Sequence, residues 1–406
     1  MIPVHVVGLG LGLDDLTPRL LEIINRAEVL AGSARLLDLF PDHQAQRLIL
    51  SGVLSAWLEE AALAARSQQV VILASGDPGF FGVAFQVTER LGMENVVIHP
   101  NVTAVQAAFA RLKMPWDDAA LISLHGRETW QPLWSALAAG HKTAVYTDPA
   151  HTPSVIAQAM LERGLGAWRM HVLENLGASG ERLGVYTLED AAAQEFSPLN
   201  VTVLVREKQP PPLTLGMPEE EFEHEAGLIT KPEIRAVILA GLALEPEHTL
   251  WDLGAGCGSV GLEATLLLPR GRVVAVERQE DRLDQIKANR KKFGAAGLEV
   301  VQADLPDGLD GLPDPDRVFI GGGGSRAPEI IRAAALRLPH GGIMVAAAVN
   351  LDNLEKARTA MSAAGLSPQV TQVQISRSAA LAGDQYLKPL NPVWLVKGRK
   401  PGKTHE

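Results

Sequence analysis

The residues best equipped for chemistry lie in Leu250–Thr265, which reads Leu-Trp-Asp-Leu-Gly-Ala-Gly-Cys-Gly-Ser-Val-Gly-Leu-Glu-Ala-Thr. An apolar run ends at Asp252, a glycine-rich turn follows, and a second apolar run opens. That order spells strand, turn and helix start. Gly254, Gly256 and Gly258 remove side chains where the backbone must bend and a ligand must approach. The free N–H groups and positive end of the next helix favour an anion or a polar ligand tail.

Two cofactor classes use this device. Gly256-x-Gly258-x-x-Gly261 fits the dinucleotide fingerprint. Asp252-x-Gly254-x-Gly256-x-Gly258 fits better the S-adenosylmethionine (SAM) loop of class I methyltransferases, because the methionine amino group gives Asp252 a cation to meet. Glu277 closes the next strand, where an acid hydrogen-bonds ribose hydroxyls. Asp304 closes the third strand, at the place of an adenine amino group. Gly322 opens the fourth strand's loop to the methyl donor or substrate, and Thr230 precedes the first strand and can close over the methionine end. Cys257 has no histidine near it in sequence and reads as a small loop residue of this turn rather than a catalytic thiol.

The first half offers four more strand-end loops. They centre on Gly8-Leu9-Gly10, on Ser75-Gly76-Asp77-Pro78-Gly79-Phe80-Phe81-Gly82, on Asn101-Val102-Thr103-Ala104, and on His125-Gly126-Arg127. Ligands of open α/β sheets sit outside the carboxyl ends of the strands, so four such loops together define a site better than any one. Asp77 and His125 are the candidate proton carriers. Arg127, Lys231, Arg235 and Arg377 are the candidate partners for carboxylates.

Those loops need strands to carry them. The pattern predicts strands at Ile2–Val7, Val70–Ala74, Val96–His99, Ala120–Leu124, Thr143–Thr147, Met170–Leu173 and Asn200–Val205. Thr17 and Pro18 begin a helix expected to run to Ala31. Three prolines and an acidic run mark a solvated linker over 207–220. After it, Thr230-Lys231-Pro232-Glu233 reads as a capping box, and strands and helices alternate through 221–398 before a terminal antiparallel pair and a tail over 399–406. The expected fold is α/β, a domain over 1–206 followed by a doubly wound, Rossmann-like domain.

Composition bounds the partners. The chain has 406 residues, 47% of them apolar, and a net charge of −10. That balance argues against a nucleic-acid binder, and an RNA methyltransferase reading is weakened accordingly. The single cysteine excludes an internal disulfide and a multi-cysteine metal site, and suits a reducing cytoplasm. No run of about 18 apolar residues predicts a membrane span. An NAD-dependent oxidoreductase would need a hydride-acceptor site, for which no catalytic histidine or Lys–Tyr pair is placed.

Leu228–Arg235 with Leu250–Gly261, and later Ile375-Ser376-Arg377 and Asn391-Pro392-Val393, resemble the methyltransferase-decarboxylases of the cobalamin pathway. Val7–Gly10, Ser75–Pro78 and Ser123–Arg127 resemble the two-lobed tetrapyrrole (precorrin) methylases, with Asn101-Val102-Thr103-Ala104 standing where that family usually has Gly-x-Ser-Ser. Together the halves look like the fused, decarboxylating C-methyltransferase family of corrin synthesis that acts on precorrin-6Y. The resemblance implies two SAM sites, methylation of macrocycle carbons 5 and 15, loss of carbon dioxide from an acetate side chain, no metal, and assembly of identical copies. It implies SAM contacts from Gly8, Gly10, Gly76, Asp77, Gly82, Thr103 and Ala104 in the first half. In the second it implies them from Thr230, Asp252, Gly254, Gly256, Cys257, Gly258, Glu277, Asp304 and Gly322. Lys231, Arg235 and Arg377 then meet substrate carboxylates, and Asp77, His125 and Arg127 serve catalysis.

Overall fold

The structure, a computed structural model, describes residues 1–402 apart from 226, 382 and 383. Part of the expected tail therefore lies outside the described residues. The chain forms two compact units. One holds Met1–Arg127, Lys142–Ile156 and Arg169–Val205; the other holds Glu128–His141, Ala157–Trp168 and Arg206 onward.

The first unit is built on two five-stranded sheets. Strands β1 (Val4–Gly8), β2 (Val29–Gly32), β3 (Gln46–Ile49), β4 (Val70–Ala74) and β5 (Val96–His99) form a parallel sheet ordered β3-β2-β4-β1-β5. β4 is buried along its whole length and β1 nearly so, as a sheet covered on both faces requires. Strands β6 (Ala120–Ser123), β7 (Lys142–Tyr146), β8 (Trp168–Glu174), β9 (Arg182–Tyr186) and β10 (Asn200–Arg206) form a mixed sheet ordered β6-β7-β10-β8-β9. Leu11 and Phe80, from loops of the first sheet, pack against the core of the second.

The helix begun by Pro18 ends at Asn25, not at Ala31. Thr17 does cap it, accepting from the Leu20 N–H at 3.3 Å. Val29-Leu30-Ala31, which the apolar pattern joins to that helix, is β2, buried between β3 and β4. A four-residue apolar run is too short for periodicity to tell the two apart.

The second unit carries a seven-stranded sheet. In chain order its strands are β11 (Thr249–Leu253), β12 (Arg272–Glu277), β13 (Leu298–Gln302), β14 (Arg317–Ile320), β15 (Ile343–Ala348), β16 (Ser367–Val373) and, after a small hairpin of β17 (Ser376–Leu381) and β18 (Asp384–Pro389), β19 (Val393–Arg399). The sheet order is β13-β12-β11-β14-β15-β19-β16; the first five strands are parallel and the last two antiparallel to their neighbours. Strand order reverses between β11 and β14, and that crevice is where open α/β sheets bind ligands. The β17–β18 hairpin was not foreseen.

The acidic stretch is not a free linker. Met217 and Phe222 are buried in the second unit's core. Arg235, wholly inaccessible, holds the stretch down: its Nε donates to Glu263 Oε1 at 2.8 Å, and its other nitrogens donate to the carbonyls of Thr230 and Met217. Glu263 in turn accepts the N–H groups of Gly216 and Met217. Removing one partner of such a pair strands a buried charge. Glu263→Ala should therefore cost about 3–5 kcal/mol of stability, read as a lowered urea midpoint of the second unit's transition.

Candidate active sites

In the first unit the loops after β1, β4 and β5 meet. Gly76 N–H donates to Gly10 O at 2.9 Å, and Gly10 N–H returns to Gly76 O at 3.3 Å. The approach leaves no room at Gly8, where a Cβ would lie 2.5 Å from Gly76 O and 2.9 Å from Pro78 Cδ. Asn101 Nδ2 ties the third loop to Gly8 O at 2.9 Å. Thr103 completes a capping box with Gln106 at the start of the helix Ala104–Leu112. Asp77 Oδ1 accepts the Gly79 N–H at 2.7 Å, which bends the chain toward Gly82; its Oδ2 has no hydrogen bond among the described residues. Gly8, Gly10, Gly76, Asp77, Gly82 and Thr103 are thus brought together.

Ala104 stands with them, half-buried. The phenol oxygen of Tyr146, at the end of β7, faces its N–H and that of Val105. Burial raises the Tyr146 phenol above its usual range and Asp77's charge adds to this, while the two N–H groups oppose it. Tyr146, outside the expected site residues, therefore stands at the start of the helix Ala104–Leu112. Tyr146 packs against Phe80 and Phe81, with ring centroids 5.9 and 6.0 Å away.

His125 and Arg127 follow β6 on an exposed turn. The turn is fixed by Asp148, which accepts the Gly126 N–H at 2.8 Å and the backbone and ring nitrogens of His151. Burial pushes the Asp148 carboxyl up, but these hydrogen bonds outweigh it and hold it at about 2. Arg127 forms no ion pair among the described residues, so its charge is available.

In the second unit Asp252 is fully buried. Its Oδ2 accepts the Gly261 N–H at 2.9 Å; its Oδ1 has no hydrogen-bond partner among the described residues. Burial pushes this carboxyl up to about 7, against the pull of the Gly261 N–H and with help from Glu277's charge. Gly254, at φ +72, passes so close to the β14 loop that a Cβ would sit 3.0 Å from Gly322 Cα. Gly256 opens on free space. Gly258 caps the helix Ser259–Thr265, and Cys257 is buried with its carbonyl bonded to Asn289 and its thiol raised by burial. Its side chain is therefore shut off from a ligand, as a loop residue and not a thiol reagent.

Glu277 holds the loop from the other side. Its Oε2 accepts the Gly256 N–H at 3.0 Å and its Oε1 those of Arg278 and Gln279. Asp304 is exposed and paired with Arg326 at 2.9 Å. Arg326 lies two residues beyond the Gly321–Gly324 turn and was not among the expected residues; a lone arginine after four glycines was the signal.

Three expectations fail here. Thr230 is not the helix cap. Lys231 occupies that place because Pro232, with its fixed φ and missing N–H, takes the first helical position. Glu233 does not reach back to close a box; its carboxylate is held by the Arg377 fork at 2.7 and 2.9 Å. Arg235 is buried against Glu263 and has no face to offer a substrate. Lys231 and Arg377 both pair with Glu219 of the acidic stretch, so each meets an external carboxylate only by exchange.

Two α/β units, each with glycine loops gathered at the carboxyl ends of its strands, make a paired methyltransferase, and the comparisons with known proteins agree. Residues 3–192 match the family described as Tetrapyrrole (Corrin/Porphyrin) Methylases, and residues 220–399 match the Precorrin methyltransferase domain. A precorrin-6Y C(5,15)-methyltransferase [decarboxylating] of Sinorhizobium sp is 34% identical over 402 residues, 96% of this chain and 94% of the relative. The enzyme of that name from Mycobacterium tuberculosis is 32% identical over 97% of this chain and 99% of its own. A crystal structure of precorrin-6y C5,15-methyltransferase from Geobacter metallireducens GS-15 is 42% identical over 46% of this chain and 98% of that chain, with TM-score 0.45. The chain belongs to the precorrin-6Y C(5,15)-methyltransferase (decarboxylating) family. Among the described residues no helix is long and apolar enough to cross a membrane.

Proposed function

We propose that the chain uses SAM at two separate sites, the first unit methylating carbon 5 of a precorrin-6 type tetrapyrrole and the second methylating carbon 15 and releasing carbon dioxide from an acetate arm. Relatives named for one step alone each cover about half of the chain: a C(15)-methyltransferase (decarboxylating) from Pyrobaculum calidifontis covers 46%, and a C(5)-methyltransferase from Salmonella typhimurium covers 50%. The observation that carries the reading is Asp252. A buried carboxyl oxygen without a hydrogen-bond partner among the described residues, on the strand that leads into the Gly254–Gly258 turn, fits a cationic ligand tail.

SAM supplies an activated methyl group when bound. In the second unit, Asp252 and the Gly254–Gly258 turn would hold its methionine end, Glu277 its ribose, and Asp304 its adenine. In the first, the loops at Gly8, Gly76 and Thr103 would hold it. The meso carbon of a partly reduced tetrapyrrole is an enamine-type nucleophile, so no covalent nucleophile is required of the protein. The protein aligns the reactants and keeps water out. Asp77, through Oδ2, accepts the proton that leaves carbon 5, with His125 on the turn after β6 as the candidate to pass it on. Arg127 meets a spectator carboxylate. In the second unit the carboxylate that is lost must stay unpaired, because an ion pair would stabilise it against leaving; the exposed apolar Val349 and Leu351 at the end of β15 suit that need. The electrons left behind flow into the macrocycle's imine system.

Calorimetric titration of the full chain with S-adenosylhomocysteine should show two sites per chain. One site only, or binding of NAD in its place, would overturn the reading.

A further inference from the structure

Phe81 has a backbone φ of +51, in the left-handed region that non-glycine residues seldom enter. Its neighbours do not relieve this: Gly82 follows, in a turn where a Cβ would lie 2.5 Å from Pro78 O. The conformation places the Phe81 ring edge-on to Phe80, centroids 4.7 Å apart and tilted 60°, and T-shaped to Tyr146, 6.0 Å away. Phe80 is spent in the core of the second sheet. Tyr146 is half-buried between Phe80 and Phe81, its oxygen toward the start of the helix Ala104–Leu112. Of the three rings Phe81 is the most open, with 48% of its surface exposed against half-buried Phe80 and Tyr146, and it stands four residues after Asp77 on the loop that closes against Gly8. Backbone strain of this kind persists where the surrounding structure enforces it, and it clusters at ligand clamps.

Resting on the reading of the first unit as a carbon-5 methyltransferase, we propose that Phe81 is the platform for the tetrapyrrole there: a flat apolar ring, braced by Phe80 and Tyr146, on which the conjugated edge next to carbon 5 lies. A large, flat, conjugated substrate takes a rigid aromatic partner at low entropic cost. The polar loops at Gly8 and Gly76 serve the donor, so the apolar ring is left for the acceptor. Phe81 positions the substrate; it moves no proton.

The test is Phe81→Gly in the full chain. Glycine accepts φ +51 without strain, so the thermal midpoint should hold or rise while the ring is lost. The KM for the tetrapyrrole in carbon-5 methylation should rise roughly tenfold. Affinity for S-adenosylhomocysteine, carbon-15 methylation and decarboxylation should stay at wild-type values. Phe81→Tyr, which keeps the ring, should restore the KM, and Phe81→Leu, which keeps bulk without flatness, should not. An unchanged KM in Phe81→Gly overturns the platform, as does a lowered midpoint with both units' activities falling together. A wild-type chain that leaves carbon 5 unmethylated refutes the underlying assignment of the first unit instead.

Discussion

Gly8→Ala should stop methylation at carbon 5 and leave carbon-15 methylation and decarboxylation intact. The added methyl would lie 2.5 Å from a backbone carbonyl and 2.9 Å from the Pro78 ring. Neither can swing aside as a flexible side chain would, so the loops after β1 and β4 must part and the pocket between them changes shape. Gly254→Ala should do the converse. There the new methyl meets the backbone of Gly322 at 3.0 Å, in a conformation at φ +72 that alanine enters only with strain. Each variant should therefore lose activity by on the order of 100-fold or more in one unit only, since misplacement by about 1 Å costs that much in aligned reactions. Mass analysis of the products reads this directly: one methyl and no carbon dioxide lost from Gly254→Ala, one methyl and one carbon dioxide lost from Gly8→Ala. Mixing the two variants should restore the full product. A single variant that loses both steps would show that the sites are not separate.

The second large effect is expected at Asp252. Asn keeps its shape and an acceptor for the Gly261 N–H but cannot carry charge. SAM affinity at the second site should fall by on the order of 100-fold, the equivalent of two pKa units. The first site should be untouched. The pH dependence follows from the raised pKa. The folded value, about 7, lies above the ordinary carboxylate value, so the stability that Asp252 contributes is fully present at low pH and is lost as pH rises toward and through 7. Without ligand, the wild-type second unit should lose stability across that window and Asp252→Asn should not. A cationic ligand reverses the preference by favouring the charged carboxylate. SAM binding to wild type should therefore release a proton below pH 7 and tighten as pH rises to about 7, then level off. Calorimetry in buffers of different ionisation enthalpy would detect the proton. Equal affinity at both sites in Asp252→Asn would remove Asp252 from any part in binding.

Much of this was legible in the residue pattern because the signals were local. β4, β11, β12 and β14 fall where buried runs ending at glycine or acid put them, and Asp252, Gly254 and Gly322 meet where two strand ends must meet. What was missed depends on contacts between distant segments. Arg235 sits beside Lys231 in sequence and reads as a surface cation; only the placement of Glu263, twenty-eight residues on, makes it a buried one. Thr230 scores as a cap by type and spacing, but Pro232 moves the helix start by one residue. Tyr146 fits a strand by its pattern, and nothing in that strand tells that its hydroxyl points to the start of a helix about forty residues earlier. The clue to Phe81 was present but unused. In a chain only 5% aromatic, two adjacent phenylalanines fall inside one glycine turn, and the core claims only the first of them.

The anchoring of the acidic stretch bears on how this polypeptide can be divided. A half-length protein starting at Glu221 would possess every strand of the seven-stranded sheet yet lack the Met217 carbonyl and the two amide hydrogens that Glu263 receives. Its guanidinium at Arg235 would face a vacated groove, and Lys231 and Arg377 would lose the carboxylate of Glu219. A cut placed upstream of the acids keeps that groove filled, whereas one at Glu221 empties it.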